Sequence, residues 1–309
     1  MTQEKALHKK KGIRRTPDVV AFNIISVVVV GLFALLCIMP FYLIIVGSFS
    51  SEKALIVHGY HFYIQDFTLE AYKMCFQGDF NLLTAYLNTI LLTLCGTLLN
   101  TLVTTMTGYV LSRRDFQWRN IFAFFFFFTM LFNGGMVPSY IMNIRIWDFK
   151  NHWYALLLPL MFSVWNMIIA KNYMMSLPYE IIESAKIDGA NDFTIYIRLM
   201  LPLSLPCIAT LALFSGLAYW NDWMNCLLYI NKKDMYTLQF YLQELLTKVD
   251  AIKEALEHAG ALSASAQQTI PQESLKMAMT IVVTGPIILL YPFLQRYFVK
   301  GLTVGAVKG

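Results

Sequence analysis

Charge is what this sequence has least of. Asp, Glu, Lys and Arg make up 14% of its 309 residues, where a water-soluble domain carries roughly 25%. That shortage excludes a chain solvated by water on all sides. Cysteine supplies no scaffold either. Four of the five (Cys37, Cys95, Cys207, Cys226) lie inside long apolar runs, where a thiol behaves as a small hydrophobe, and Cys75 has no partner in its loop. No disulfide framework or zinc spacing can be assembled from them. All five histidines fall in loops or at the edge of a run, so no HExxH pair stands at membrane depth. No second acid accompanies Asp222 within a run, which removes a carboxylate dyad. A phosphate-cradling GxxxxGKS/T loop is missing as well, which excludes ATP binding and hydrolysis by that route. A chain without these groups is expected to be no enzyme: no catalytic residue, no metal and no cofactor of its own. Its energy must come from a partner.

What is present is apolar and clustered. Hydrophobic residues reach 57% and gather into six runs, at 20–46, 85–111, 120–142, 153–170, 205–230 and 277–295. Each is near the roughly 20 residues a helix needs to cross a hydrocarbon core of about 30 Å. Lipid offers no partner to backbone polar groups, so such runs are expected to be helices. The expected fold is an all-α integral membrane protein with six transmembrane helices, its first partner being the lipid bilayer. The first run is too long for a signal peptide and lacks a small-residue cleavage pattern, so it is expected to stay as a span. With six spans both termini share a side, and 15 of the 24 Lys and Arg residues fall there, among them Lys9, Lys10, Lys11, Arg14, Arg15, Arg113, Arg114, Arg119 and Lys186. The positive-inside rule places both termini in the cytoplasm. The net charge of +5 follows from that topology and calls for no nucleic acid. Ion-coupled carriers show several intramembrane ionisable groups and broken, repeated helices. One acid and no visible repeat argue against a self-contained carrier.

The loop between the fourth and fifth runs, 176–205, has more pattern than a connection needs. Ser176 is expected to cap a helix with Pro178 in its first turn, and Leu177, Ile181, Ile182 and Ala185 form a stripe near helical spacing. Gly189 is where that helix should stop, because glycine reaches the left-handed region without steric cost. Asn191 or Asp192 is expected to cap a second helix, with Phe193, Tyr196, Ile197, Met200 and Leu201 on its apolar face and Pro202 and Pro206 limiting it. Glu180, Glu183, Lys186 and Asp188 remain available to a cytoplasmic partner. Pattern alone leaves open whether the hairpin merely rests on the membrane surface.

Within that loop, Glu183-Ser184-Ala185-Lys186-Ile187-Asp188-Gly189-Ala190, followed by Pro202, resembles the EAA motif of bacterial ABC importer permeases. Ser184 departs from the family's alanine but is also small. Asn88-Thr89, Phe132-Asn133-Gly134-Gly135, Pro138-Ser139-Tyr140, Trp220-Asn221-Asp222-Trp223 and the ending 301–309 are similar to the carbohydrate branch, the maltose-type second subunit in particular, and in look to Gram-positive permeases for complex oligosaccharides. The resemblance covers 20–309. It implies a type I ABC importer transmembrane domain, with a basic tail at 1–19, a first span at 20–47, a permease core at 84–295 and a C-terminal tail at 296–309. It further implies a bacterial cell membrane, a second homologous permease subunit, two ATPase subunits that bind ATP and Mg, and an extracellular solute-binding protein. The cargo implied is a sugar, an oligosaccharide; the alternative is the same architecture importing a non-sugar solute such as peptide or phosphate.

The resemblance also implies site residues. Glu183, Ser184, Ala185, Asp188, Gly189 and Ala190 become the ATPase-coupling loop. The tail 301–309 is expected to enter the ATPase interface, and the long loop 231–271, helical over 238–258, to reach the binding protein. In the maltose-type system most sugar contacts come from the other permease chain. For this chain the candidate path residues are Trp220, Asn221, Asp222, Trp223 and Asn225, since an ionisable residue within a span is costly in lipid and is expected to face a wet path. Asp222 would lie roughly 25 Å along a helix starting near residue 205. Trp220 and Trp223 offer faces for sugar stacking, or anchors at the interface.

Overall fold

A computed structural model describes residues 17–77, 82–258 and 273–289, and among them all regular structure is helical. The basic residues 1–16 and the tail 296–309 lie outside the described residues. The described residues begin with α1 (Pro17–Ser48), which is apolar all round and buried only at Val46, Gly47 and Ser48. At 1.5 Å per residue it is roughly 48 Å long, enough to cross a bilayer with length to spare. Two short helices follow, α2 (Glu52–His58) and α3 (Glu70–Gln77). Glu52 is buried, and its carboxylate accepts from the backbone N–H groups of Glu273 and Ser274 at 3.0 and 2.9 Å, tying α2 to the start of the last described helix.

The bundle is organised on α4 (Leu82–Ser112), which packs against later helices along its length. Small residues permit that closeness. A Cβ placed on Gly96 would meet the Tyr219 ring at 2.4 Å, and one on Gly108 would meet the Ala170 Cβ at 2.7 Å. With little hydrophobic drive between helices in lipid, such small-residue contacts and interhelical hydrogen bonds hold a bundle together.

The third run does not form the single helix its hydropathy suggests. It divides into α5 (Arg119–Leu131) and α6 (Met136–Arg145), set 111° apart. The cause is local: Gly135 has φ +90°, and its N–H is held by the Asn133 side-chain oxygen at 2.9 Å. The fourth run also bends. The short α7 (Tyr154–Leu157) and a 3₁₀ turn (Leu158–Leu160) meet α8 (Val164–Met175) at 48°, where Ser163 caps α8 by accepting from the Asn166 N–H. The hairpin follows, made of α9 (Glu180–Ile187), α10 (Asp192–Ile195), a π turn (Tyr196–Met200) and α11 (Leu201–Leu203). It leads through an 84° bend into α12 (Leu205–Trp220). The fifth run breaks after Trp220 and resumes as α13 (Met224–Tyr229). Then come α14 (Leu238–His258), where helix was expected, and α15 (273–289), which covers the sixth run up to residue 289. Among the described residues, two helices alone are long and apolar enough to cross a membrane, rising to five spans when each bent pair counts as one.

Candidate functional site

The hairpin has a defined stop and a defined restart. Gly189 takes φ +81°, its N–H donates to Lys186 O at 3.0 Å, and the Ala190 N–H reaches back to Ala185 O at 2.9 Å. These paired bonds form the Schellman arrangement that ends a helix. Asn191 then caps α10, its side-chain oxygen accepting from the Thr194 N–H at 2.8 Å. Ser176 does not cap α9. It ends α8 instead, donating to Tyr173 O at 2.7 Å, and α9 starts behind Tyr179 without a side-chain cap.

Ile182, Ala185, Ile195, Tyr196 and Met200 face inward, joined by Tyr109 and Met174. Phe193 and Ile197, expected on the buried face, are exposed. The π turn over Tyr196–Met200 carries an extra residue and rotates the face away from a strict 3.6-residue repeat. Glu183, Ser184, Asp188 and Gly189 are exposed, Ala185 is buried and Ala190 is half-buried. Ser184 closes its own hydroxyl onto Glu180 O at 2.9 Å, so a small polar residue fits where the family's alanine stands. At the tip Ile187 is 86% exposed. The outer surface is thus acidic and apolar, carried on a rigid turn.

Lys186 is not free for a partner, because its ammonium donates to Asp115. Asp115 belongs to a cluster centred on Arg113, a guanidinium just beyond α4 with 4% exposure. Arg113 grips Asp115 through Nε and Nη2 at 2.9 and 2.7 Å, donates from Nη1 to the Tyr109 hydroxyl at 2.8 Å, and pairs with Asp192 on α10 at 3.0 Å. The hydrogen bonds from Arg113 hold the Asp115 carboxyl well below the usual carboxylate range and raise the Arg113 guanidinium further still. Next to it the Arg114 guanidinium lies 4.8 Å over the Tyr179 ring. A buried charge is tolerated only when fully paired, and here the pairing joins the α4 end to both hairpin helices. The sequence pattern gave Tyr109 and Asp115 no role, and Asp192 only that of a candidate helix cap. Arg113 entered only as one of many cations marking topology.

The second candidate segment, at the other end of α12, is a turn. Trp220 is buried, with its indole Nε1 donating to Val283 O on α15 at 3.3 Å. Its ring faces therefore pack on protein, whereas Trp223 is half-buried against the cluster of Phe149 and Tyr229. Asn221 is exposed, and its side-chain oxygen accepts from Gln239 at 3.0 Å. Asp222 does not sit within a continuous helix. Its carboxylate accepts from the Asn225 N–H at 3.2 Å and from the Asn225 side-chain amide at 2.9 Å, capping α13. Its carbonyl accepts from Thr237 Oγ1 at 3.2 Å. The five residues are brought together, but chiefly to fold this turn.

Residues 116–304, more than half of the chain, match the family model described as "Binding-protein-dependent transport system inner membrane component". The chain is 36% identical to the polygalacturonan/rhamnogalacturonan transport system permease protein YtcP of Bacillus subtilis (strain 168), over 90% of this chain and 95% of that one. It is 30% identical to the arabinooligosaccharides transport system permease protein AraQ of Halalkalibacterium halodurans, over 89% and 93%. Among solved structures, it is similar to a chain from a bacterial ABC transporter involved in the import of the acidic polysaccharide alginate. There the TM-score is 0.77 and the identity 27%, covering 92% of this chain and 98% of the other.

Proposed function

This chain belongs to the family of binding-protein-dependent transport system inner membrane components, and from that premise we propose that it forms half of the membrane passage of an ATP-driven importer of oligosaccharides. It is a multi-pass protein of the plasma membrane with the type I ABC importer permease fold. The observation that carries the coupling role is the hairpin: α9 ends in a left-handed glycine, Arg113 ties it to α4, and its exposed tip presents Ile187, Glu183 and Asp188. Such an element transmits force to a docked partner without deforming. In this reading Glu183, Ser184, Ala185, Asp188, Gly189 and Ala190 seat in an ATPase subunit, which holds ATP and Mg; this chain performs no hydrolysis.

The full assembly would contain a second permease chain, two ATPases and an extracellular binding protein, with six spans here and both termini on the ATPase side. The outer loop 231–271 would meet the binding protein, and the tail 301–309 the ATPase interface. Trp220, Asn221, Asp222, Trp223 and Asn225 would form the outer rim of the path, Asn221 being its most accessible polar group. A sugar cargo is supported by relatives named for the transport of polygalacturonan/rhamnogalacturonan and of arabinooligosaccharides. Reconstituting the chain with its partner subunits in proteoliposomes and measuring ATP-dependent uptake tests the whole reading. Import of oligosaccharides is expected; import of peptide or phosphate with no sugar uptake would refute the cargo.

A further inference from the structure

Three polar residues occupy one layer of the bundle. Counted from the hairpin end, Asn100 lies roughly 18 Å along α4, Ser215 roughly 15 Å along α12 and Asn166 roughly 13 Å along α8, at 1.5 Å per residue. That is the middle of a hydrocarbon core about 30 Å thick. Asn100 is held at both ends of its amide: the nitrogen donates to Leu160 O at 2.8 Å, and the oxygen accepts from Ser215 at 2.6 Å and Thr104 at 3.3 Å. The Asn166 amide leans on Ser215 Oγ at 3.4 Å. The side-chain oxygen of Asn166 has no partner among the described residues, although the residue is 6% exposed. Ser163, one turn before it, accepts from the Asn166 N–H and keeps its own hydrogen to give.

These groups line a cavity of about 470 Å³, within the roughly 300–1,000 Å³ typical of small-molecule sites. Its remaining wall is aromatic. Trp165 is 59% exposed, and Phe162 and Phe214 are half-buried beside it. The lining contains no Asp, Glu, Lys or Arg. Amide and hydroxyl groups at mid-membrane are tolerated where they face the bundle interior or a wet cavity. A structural knot would leave no open amide oxygen and no bare indole beside it. A flat apolar ring next to unpaired amide and hydroxyl groups matches the two sides of a pyranose, its C–H face and its hydroxyl rim. The absence of charge disfavours a phosphate or a free amino acid.

We propose that this chain carries its own sugar subsite at mid-membrane, in which Trp165 stacks on a pyranose ring while Asn166 and Ser163 hydrogen-bond its hydroxyls. The subsite rests on the sugar-importer reading above and departs from the expectation that the partner permease supplies most contacts. Asn100 and Ser215 act as positioning residues that hold Asn166.

The complete complex in proteoliposomes, with its binding protein, is given maltotriose and galactotriose, neutral oligosaccharides of pyranose rings, and triglycine. Uptake and binding-protein-stimulated ATP hydrolysis are measured separately for wild type, Trp165→Ala, Trp165→Phe and Asn166→Ala. We expect Trp165→Ala to lower sugar uptake about tenfold, as loss of an aromatic anchor does, with ATP hydrolysis within twofold of wild type and Trp165→Phe retaining at least half the uptake. Asn166→Ala should lower uptake about fivefold, again sparing hydrolysis. A wild type that imports only triglycine refutes the sugar reading and the subsite with it. Sugar import by wild type with both alanine variants unchanged removes the subsite alone. So does a joint fall of uptake and hydrolysis in Trp165→Ala, or failure of Trp165→Phe to rescue, because either marks packing against the partner permease.

Discussion

Two aspartates at opposite ends of the bundle show how differently the same residue type is used. Asp115 lies in a tight loop and is shared by Arg113 and Lys186, so it joins the end of α4 to a hairpin some 70 residues away. Asp222 stands at a break in an apolar run and bonds within three residues, folding only its own turn apart from one backbone bond to Thr237. Rarity within a run drew attention to the second. Connectivity across the fold makes the first the more consequential.

The sharpest way to break this comparison is Arg113→Ala. It strips Asp115 and Asp192 of their buried partner, and uptake is expected to fall by more than an order of magnitude in protein inserted at wild-type level, since removing one member of a buried pair is severe. Arg113→Lys should recover only part, for an ammonium cannot reproduce the two-pronged grip. Wild-type uptake by Arg113→Ala would reduce the cluster to decoration. Gly189→Val comes next. No atom lies within 4 Å of a Cβ there, so the effect is purely conformational: φ +81° is hostile to a β-branched side chain and costs about 1–2 kcal/mol. We expect roughly tenfold loss of coupled uptake with ATP hydrolysis uncoupled from sugar; a crosslink from residue 183 to the ATPase should weaken in parallel.

Asp222→Asn is expected to transport within twofold of wild type, because the amide oxygen still caps α13. Asp222→Leu loses a cap worth about 1 kcal/mol and should lower thermal stability of the assembled complex. Normal stability and transport in the leucine variant would remove Asp222 from both turn and path. The smallest expected effect is that of pH. The Asp115 carboxyl is held below its ordinary value by Arg113 and Lys186, so its contribution is complete above the unfolded value of about 4 and is lost only as pH falls further, through its depressed folded value. Crosslinking of the hairpin to the ATPase should therefore stay flat from about pH 8 to about pH 5.5. A fall within that window would show that another group controls the contact.

Much of this was legible in the sequence, for identifiable reasons. Run length located the apolar helices, though not how many of them cross a membrane; Gly189 marked the end of α9, and of Asn191 and Asp192, both candidates to cap α10, Asn191 does so, because glycine and asparagine act through their own backbone and nearest neighbours. Breaks were harder. The Asn133-Gly134-Gly135 stretch sits among aromatics whose hydropathy masks a 111° corner. The rotated face of α10 escaped because a π turn obeys neither the 3.6 nor the 2 period. The Arg113 cluster and the layer of Asn100, Asn166 and Ser215 were unreadable for a common reason. Each member looks like an isolated polar residue until the fold sets helices distant in sequence side by side.

The crossing of α4 and α8 at Gly108 and Ala170 has a mechanical consequence. With backbones this close there is no compressible side chain between them, so the two rods share a fulcrum rather than a cushion. A push delivered at the hairpin end is then not absorbed at the crossing but levered past it.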